Sequence, residues 1–418
     1  MKVAIVGSGV SGLVCAHVLD PRHEVTLFEA ESRLGGHAHT QEVTVDGRPV
    51  AVDTGFIVYN ERNYPVLTRL FTELGIETRP SDMSFGVADD VENVEWCGSS
   101  LRGLFAQSRN ALRPGYLRML VDIARFNRRA RRDLHDALLD PTMSLAHYLR
   151  RGRYGRAFRE WYLVAMGSAI WSADPDTFTD FPAATFVRFF ENHGLLGVRG
   201  RPEWRSVVGG SRTYVEALAS RLRGRVLTSS PVTAVRRTLG GVVVTTPRGD
   251  EEFDHVIVAT HSDQALALLV DADSQERDVL SALRYQENEA VLHTDPSILA
   301  RREAARASWN WRRVPGSRRA TLTYDLSRLQ GLDGRPLYLT LNQPDAVDPS
   351  SVLSTTSYAH PVFDTTALRA QARHEEISGR RRVSFAGAYW GYGFHEDGAA
   401  SAMRVCAQLE RDVDVVEA

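Results

Sequence analysis

The sequence predicts an α/β fold in two parts: a Rossmann-like nucleotide-binding domain and a mixed domain of helices and antiparallel sheet. Three observations carry that expectation. Residues 3–12 run as an apolar strand into Gly7-x-Gly9-x-x-Gly12, followed by a helical stretch at Leu13–Leu19. A second strand, Glu24–Glu29, ends in an acid. Farther on, Leu117, Leu120, Ile123 and Phe126 fall at helical spacing within residues 101–170, whereas residues 290–342 alternate like antiparallel strands.

Each position in the opening motif answers a physical demand. Gly7 permits the tight strand-to-helix turn, and Gly9 lets bare backbone approach a pyrophosphate. Gly12 brings the helix close to the sheet, and Ser11 lies in its first turn, whose N–H groups face the anion. Glu29 stands where an acid hydrogen-bonds an adenosine ribose, with Ala30 beside it.

The remaining elements follow in order. Ser32-Arg33-Leu34-Gly35-Gly36-His37 leads to alternating Glu42–Val45 and Pro49–Val52, which predict a hairpin about Asp46-Gly47. After Asp53-Thr54-Gly55-Phe56 comes a helix from Tyr64 to Leu74. Val207-Val208-Gly209-Gly210-Ser211 opens a helix at Tyr214–Leu222, and Val226–Thr228 and Pro231–Val235 read as strands. Val242–Thr246 and Glu252–Val258 are further strands, the latter ending in Ala259-Thr260-His261. Ala320–Tyr324, Leu337–Leu341 and Val383–Phe385 complete the strands, and a helix from about Gly398 to Leu409 closes the chain. The nucleotide-binding portion is therefore discontinuous, at residues 1–81, 206–265 and 376–418. Residues 82–205 and 266–375 form the substrate portion.

Composition narrows the chemistry. A chain of 418 residues is long for one core, which fits two domains. A net charge of −2 gives no global pull toward nucleic acid, and no nucleic-acid partner is expected. No apolar run reaches membrane-spanning length, and the first strand begins at Lys2, so a cytoplasmic protein is expected. Cys15, Cys97 and Cys406 suit neither a disulfide framework nor a metal site. Lys2 is the only lysine among 50 basic residues, which excludes Schiff-base, P-loop and lysine-base chemistry.

Taken together, the motifs resemble the flavin amine oxidase superfamily, which includes monoamine oxidases, protoporphyrinogen oxidase, phytoene desaturases and a flavin-dependent fatty-acid isomerase. The matching stretches are Gly7–Gly12 with Glu29, Arg33-x-Gly35-Gly36, Asp53-x-Gly55, Gly209-Gly210, Pro231-Val232, Val256–Thr260 and Phe385-Ala386-Gly387 with Glu396-Asp397-Gly398-Ala399. More narrowly, 53–60, 259–265 and 391–398 resemble bacterial flavin oxidoreductases associated with cyclopropane-fatty-acid synthase-like proteins. That resemblance implies an acyl-lipid connection.

The superfamily likeness implies FAD, and because Ser354–Ser357 stand where a cysteine would form the usual covalent attachment, the FAD is expected to be noncovalent. Arg33, Gly35, Gly36 and His37 would lie by its diphosphate, and Val232 by adenine. Thr54, Gly55, Phe56, Ala259 and Thr260 would line the cofactor, while Gly387 and Ala388 would meet the ribityl-phosphate side. The closing helix, with Asp397, Gly398 and Ala399, would aim its positive end at the flavin pyrimidine ring. Two departures stand out. Ala388 replaces an acid that often reaches the ribityl or ribose hydroxyls, and no lysine is available to hold water near the reactive ring nitrogen.

His395 is the candidate for proton transfer, since imidazole titrates near neutrality, and a structural histidine is the other reading of it. Tyr59 and Tyr392 would either donate to a developing anion or wall the pocket. Trp161, Trp171, Trp309, Trp311, Phe178, Phe181, Phe186, Phe189 and Phe190 suit an apolar substrate tunnel or a core. Residues 102–132 interleave Arg109, Arg113, Arg118, Arg125, Arg128, Arg129, Arg131 and Arg132 with apolar side chains. They could form a cationic, oily surface for the inner face of a membrane, an acyl carrier or a fatty carboxylate.

Overall fold

A computed structural model describes residues 1–171, 178–197, 200–316 and 320–417. A five-stranded parallel sheet organises the nucleotide-binding motifs. Its order is Arg225–Leu227, Glu24–Phe28, Lys2–Val6, His255–Val258, Val383–Phe385, so strands from distant stretches of chain flank Lys2–Val6. Ala4, Ile5, Val256, Ile257 and Val258 are fully buried, as continuous apolar runs in a sheet covered on both faces should be. Helix Val10–Leu19 lies along one face and packs against the closing helix, where the buried pair Cys15 and Cys406 meet.

A seven-stranded sheet forms the second centre. It runs Val352–Pro361, Tyr285–His293, Tyr338–Leu341, Thr321–Asp325, Trp309–Arg313, Phe85–Asp89, Val94–Cys97. Only the pairing of Trp309–Arg313 with Phe85–Asp89 is parallel. Beside it sits an aromatic core built from Phe126, Phe158, Phe186, Phe189, Phe190 and Trp171. Helix Pro114–His135 contributes Tyr116, Met119 and Phe126 to that core, on one stripe at helical spacing.

Smaller pieces join the two. The hairpin Thr40–Val45/Arg48–Asp53 turns at Asp46 and Gly47 with φ of 49° and 76°, the left-handed pair of a two-residue hairpin turn. Tyr59–Asn60 and Thr78–Pro80 both pair with Trp204–Val207. Three expectations need correction. The stretch expected as one strand at 252–258 belongs to two sheets, because Gly249–Phe253 pairs with Val242–Thr246 while His255–Val258 enters the parallel sheet. Pro231–Thr233 is a loop before the strand Ala234–Arg237. The closing helix begins at His395, one turn before Gly398.

Candidate active site

The glycines of the opening motif are fixed by contact. A Cβ on Gly12 would fall 1.8 Å from the carbonyl oxygen of Gly7, and Gly7 itself has φ +98° against Ala259. Gly9 is the N-cap of Val10–Leu19, and no side chain caps that helix, so its first-turn N–H groups have no partner within the helix. Across from it, a Cβ on Gly36 would lie 3.1 Å from the Cα of Gly9. Two stretches of bare backbone thus face each other where a diphosphate is expected. Glu29 accepts hydrogen bonds from the Ser8 N–H at 3.0 Å, the Ser8 hydroxyl at 2.5 Å and the Glu31 N–H at 2.8 Å. This carboxylate therefore also organises the turn behind the glycines.

The second motif locks onto the third. Arg33 donates to the Gly36 carbonyl at 2.8 Å and pairs with Glu31 at 3.0 Å. Its guanidinium thus braces the turn and shares its charge with Glu31. The carbonyl of His37 accepts from the Phe56 N–H at 2.7 Å, and Gly55 packs so closely on it that a Cβ would sit 2.1 Å away. Asp53 accepts from the N–H and hydroxyl of Ser211 and from the Thr40 hydroxyl. Burial raises its pKa, and these donors oppose that shift. Asp53 thereby ties the Gly209-Gly210 turn to the Thr54–Phe56 loop.

At the C-terminal end of the parallel sheet, Ala259 donates its N–H to the Val6 carbonyl at 2.8 Å, and Thr260 packs beside Gly7. Val232 lies in the loop after Arg225–Leu227, half-buried. Gly387 is bare where a Cβ would strike the Tyr389 ring, and its N–H donates to the Ser401 hydroxyl at 3.2 Å. Ala388 opens a short helical turn through Trp390. Gly398 and Ala399 serve helix packing: Ser11 donates its hydroxyl to the Gly398 carbonyl at 3.0 Å, and Ala399 is fully buried.

Four imidazoles from distant segments share one space. His37 lies 5.8 Å from His261 and 5.6 Å from His360, ring centre to ring centre. Burial, then His360, His261 and His395, push its pKa well down. Its Nε2 is buried with no partner. An orphaned polar atom beside two bare-backbone turns fits a bound nucleotide cofactor. His39 reaches Tyr358 at 2.8 Å, and Tyr358 bonds Thr54 at 2.6 Å, so this corner is tied to the seven-stranded sheet.

The proposed proton-transfer groups fare differently. His395 stacks on Phe56, with rings 3.8 Å apart and 9° from parallel, and its Nε2 meets the Tyr214 hydroxyl at 3.1 Å. Burial holds its pKa at about 3, so it is a neutral, hydrogen-bonded ring, and titration near neutrality does not apply to it. Tyr59 is only 3% exposed, packed among Tyr64 and Phe71, with its hydroxyl 3.4 Å from Thr78. It is a core residue. Tyr392 meets Phe189 edge-on at 5.7 Å and walls the aromatic cluster.

The acids nearby hold helix ends. Glu396 accepts from the N–H groups of Val66 and Leu67 at 2.9 and 3.1 Å, inside the first turn of Pro65–Leu74. Asp397 accepts from the Phe394 N–H at 2.9 Å, which secures the start of its own helix. Burial raises both pKa values to about 6. Sequence reasoning passed over Tyr214, Tyr358 and His360. No motif marks them, because only tertiary packing brings them to the cleft.

The two bare-backbone turns, the acid after the second strand and the parallel sheet together define a dinucleotide-binding protein. The chain belongs to the flavin containing amine oxidoreductase family, whose profile matches residues 10–297. It is 31% identical over 275 residues to a Mycobacterium tuberculosis protein named as a flavin-containing monoamine oxidase, AofH. That match takes in 62% of this chain and 56% of the other, so the chain spans little more than half the length of that relative. Among solved structures, cyclohexylamine oxidase from Brevibacterium oxydans superposes with a TM-score of 0.70 at 15% identity, covering 99% of each chain. A fatty acid isomerase from P. acnes gives 0.70 at 15% identity, over 97% of this chain and 98% of that one. These two likenesses concern the fold.

Proposed function

We propose that the chain oxidises or dehydrogenates an apolar, acyl-lipid substrate by hydride transfer to noncovalently held FAD. One observation carries this reading: the aromatic cluster runs without a break onto the loop that starts the closing helix. Phe189 stacks on Phe394 at 5.2 Å and meets Tyr392, and Trp171 lies 6.3 Å from Phe394 and donates its indole N–H to the Tyr392 carbonyl. Such a wall suits an alkyl chain. The acids at its edge, Glu396 and Asp397, are engaged by backbone N–H groups at the starts of two helices.

When bound, FAD supplies the hydride acceptor. The glycine turns at Gly7–Gly12 and Gly35-Gly36 would hold its diphosphate, and Val232 its adenine. The first-turn N–H groups after His395 would stabilise negative charge on the ring, and the aromatic wall would exclude water. With Lys2 as the only lysine, water near the ring must be placed by other side chains.

Residues 102–132 bear on the partner. The face left by Pro114–His135 exposes Leu117 and Val121, continued by Leu101 and Leu112, at 77% and 85% exposure. Several arginines are paired: Arg118 and Arg125 with buried Asp122, Arg129 and Arg132 with Asp133, Arg131 with Glu191. Arg102 and Arg128 are exposed beside the apolar residues, and this complement suits the surface of an anionic bilayer. No helix among the described residues is long and apolar enough to cross a membrane.

The test is anaerobic bleaching of the FAD-loaded protein against unsaturated fatty acids, acyl carriers and primary amines. Bleaching by an acyl substrate is expected. Conversion of a fatty acid with no net flavin reduction would identify a redox-neutral isomerase instead. Bleaching by amines alone would overturn the reading in favour of an amine oxidase.

A further inference from the structure

We infer that His360 is locked in a single tautomer, with its Nε2–H held as a hydrogen-bond donor for an acceptor atom of the flavin ring. This rests on the FAD site described above. Two backbone groups, the Glu289 N–H and the Gln286 carbonyl, fix the proton positions because neither has a choice of role.

The N–H of Glu289 can only donate, and it lies 3.1 Å from the side chain of Asn342, which must therefore present Oδ1. The amide nitrogen of Asn342 then points at Asn288 and donates to Oδ1 at 2.6 Å. That orientation turns the Asn288 amide nitrogen toward the Gln286 carbonyl, 3.2 Å away, which can only accept. The same nitrogen lies 2.8 Å from Nδ1 of His360. An amide N–H can only donate, so Nδ1 must offer its lone pair. A neutral imidazole then carries its proton on Nε2. Asn288 is fully buried, and Asn342 exchanges a second bond with strand Tyr285–His293 through its N–H and the Glu289 carbonyl at 2.8 Å. The relay is thus anchored at both ends on one strand.

His360 Nε2 has no partner among the described residues, and the ring lies 5.6 Å from His37, whose carbonyl accepts from the N–H of Phe56, the residue stacked on His395 at the start of the closing helix. The groups facing it are His37, His261 and the carboxylate of Glu287. Burial, with His261 adding to it, lowers the His360 pKa to about 4, which keeps the ring neutral at physiological pH. A donor fixed in advance stabilises negative charge that grows on a ring atom as it is reduced. The relay thereby gives a lysine-poor cleft a neutral donor, with Asn288 and Asn342 as positioning residues.

The experiment has two arms, both on the full chain loaded with FAD. First, nitrogen NMR of histidine-labelled wild-type protein should show His360 protonated at Nε2 and not at Nδ1; protonation at Nδ1 overturns the inference. Second, the flavin midpoint potential and visible spectrum are compared for wild type, His360→Leu, His360→Gln and Asn288→Asp. The aspartate accepts only, so it moves the proton to Nδ1 and removes the donor while keeping the ring. His360→Leu and Asn288→Asp should both lower the potential, and His360→Gln, which retains an N–H, should restore part of it. Wild-type potential and spectrum in both donor-less variants overturns the inference. A wild-type chain that refuses FAD defeats the site reading itself, a result that the potentials cannot mimic.

Discussion

At the residue scale, Gly36 offers the cleanest test of the cofactor site. Its φ is +55° and its Cα side faces Gly9, so Gly36→Ala adds a methyl where backbone must stay bare. The variant should fold, since the turn lies at the cleft edge, yet bind FAD about tenfold or more weakly, ~1.4 kcal/mol, by fluorescence titration. The glycines were legible in the sequence because nothing else tolerates such turns and approaches. Tyr59 was not: a tyrosine beside a motif looks the same whether its hydroxyl meets a substrate or, as here, Thr78. His395 stacks on Phe56, and its neutral state follows from burial, which no linear pattern encodes.

At the element scale, Glu396 joins two helices. It belongs to the first turn of the closing helix while its carboxylate accepts from the first-turn N–H groups of Pro65–Leu74. Glu396→Ala leaves those donors bare. The expected loss is about 1–2 kcal/mol, seen as a melting temperature lower by about 1–2 °C. The face around Pro114–His135 yields a second expectation: co-sedimentation with phosphatidylglycerol vesicles that Leu112→Asp with Val121→Asp abolishes and high salt weakens. Equal binding to neutral vesicles, or none to anionic ones, would remove the membrane role. Most helices were readable from their 3.6-residue stripes. On that face the Asp122 and Asp133 pairs follow local i,i+3 and i,i+4 spacing, whereas the Arg131–Glu191 pair leaves no local mark, because Glu191 lies on another helix.

At the scale of the whole molecule, buried histidines set the acid limit. Burial lowers the pKa of His39, His193, His255, His293, His360 and His374 to about 4 and His395 to about 3. The unfolded chain takes up these protons near pH 6.5 and the native state does not, so stability should fall as pH drops from 6.5 toward 4. Glu396 and Asp397 act oppositely, since their raised pKa values favour the native state below about 6. The histidines outnumber them, and thermal melts at pH 5 should fall several degrees below those at pH 7.5. An unchanged melt would show the rings to be hydrated. The two-part α/β organisation was readable because the periodicities separate along the chain; the order of the parallel sheet was not, because pairing between distant strands leaves no local mark. That order has a consequence for biogenesis. Strand Val383–Phe385 leaves the ribosome long after Lys2–Val6, so the parallel sheet stays unfinished until Phe385 has emerged. A nascent chain must hold its apolar β-edges in waiting, which makes chaperone capture and flavin supply at that late moment the determinants of yield.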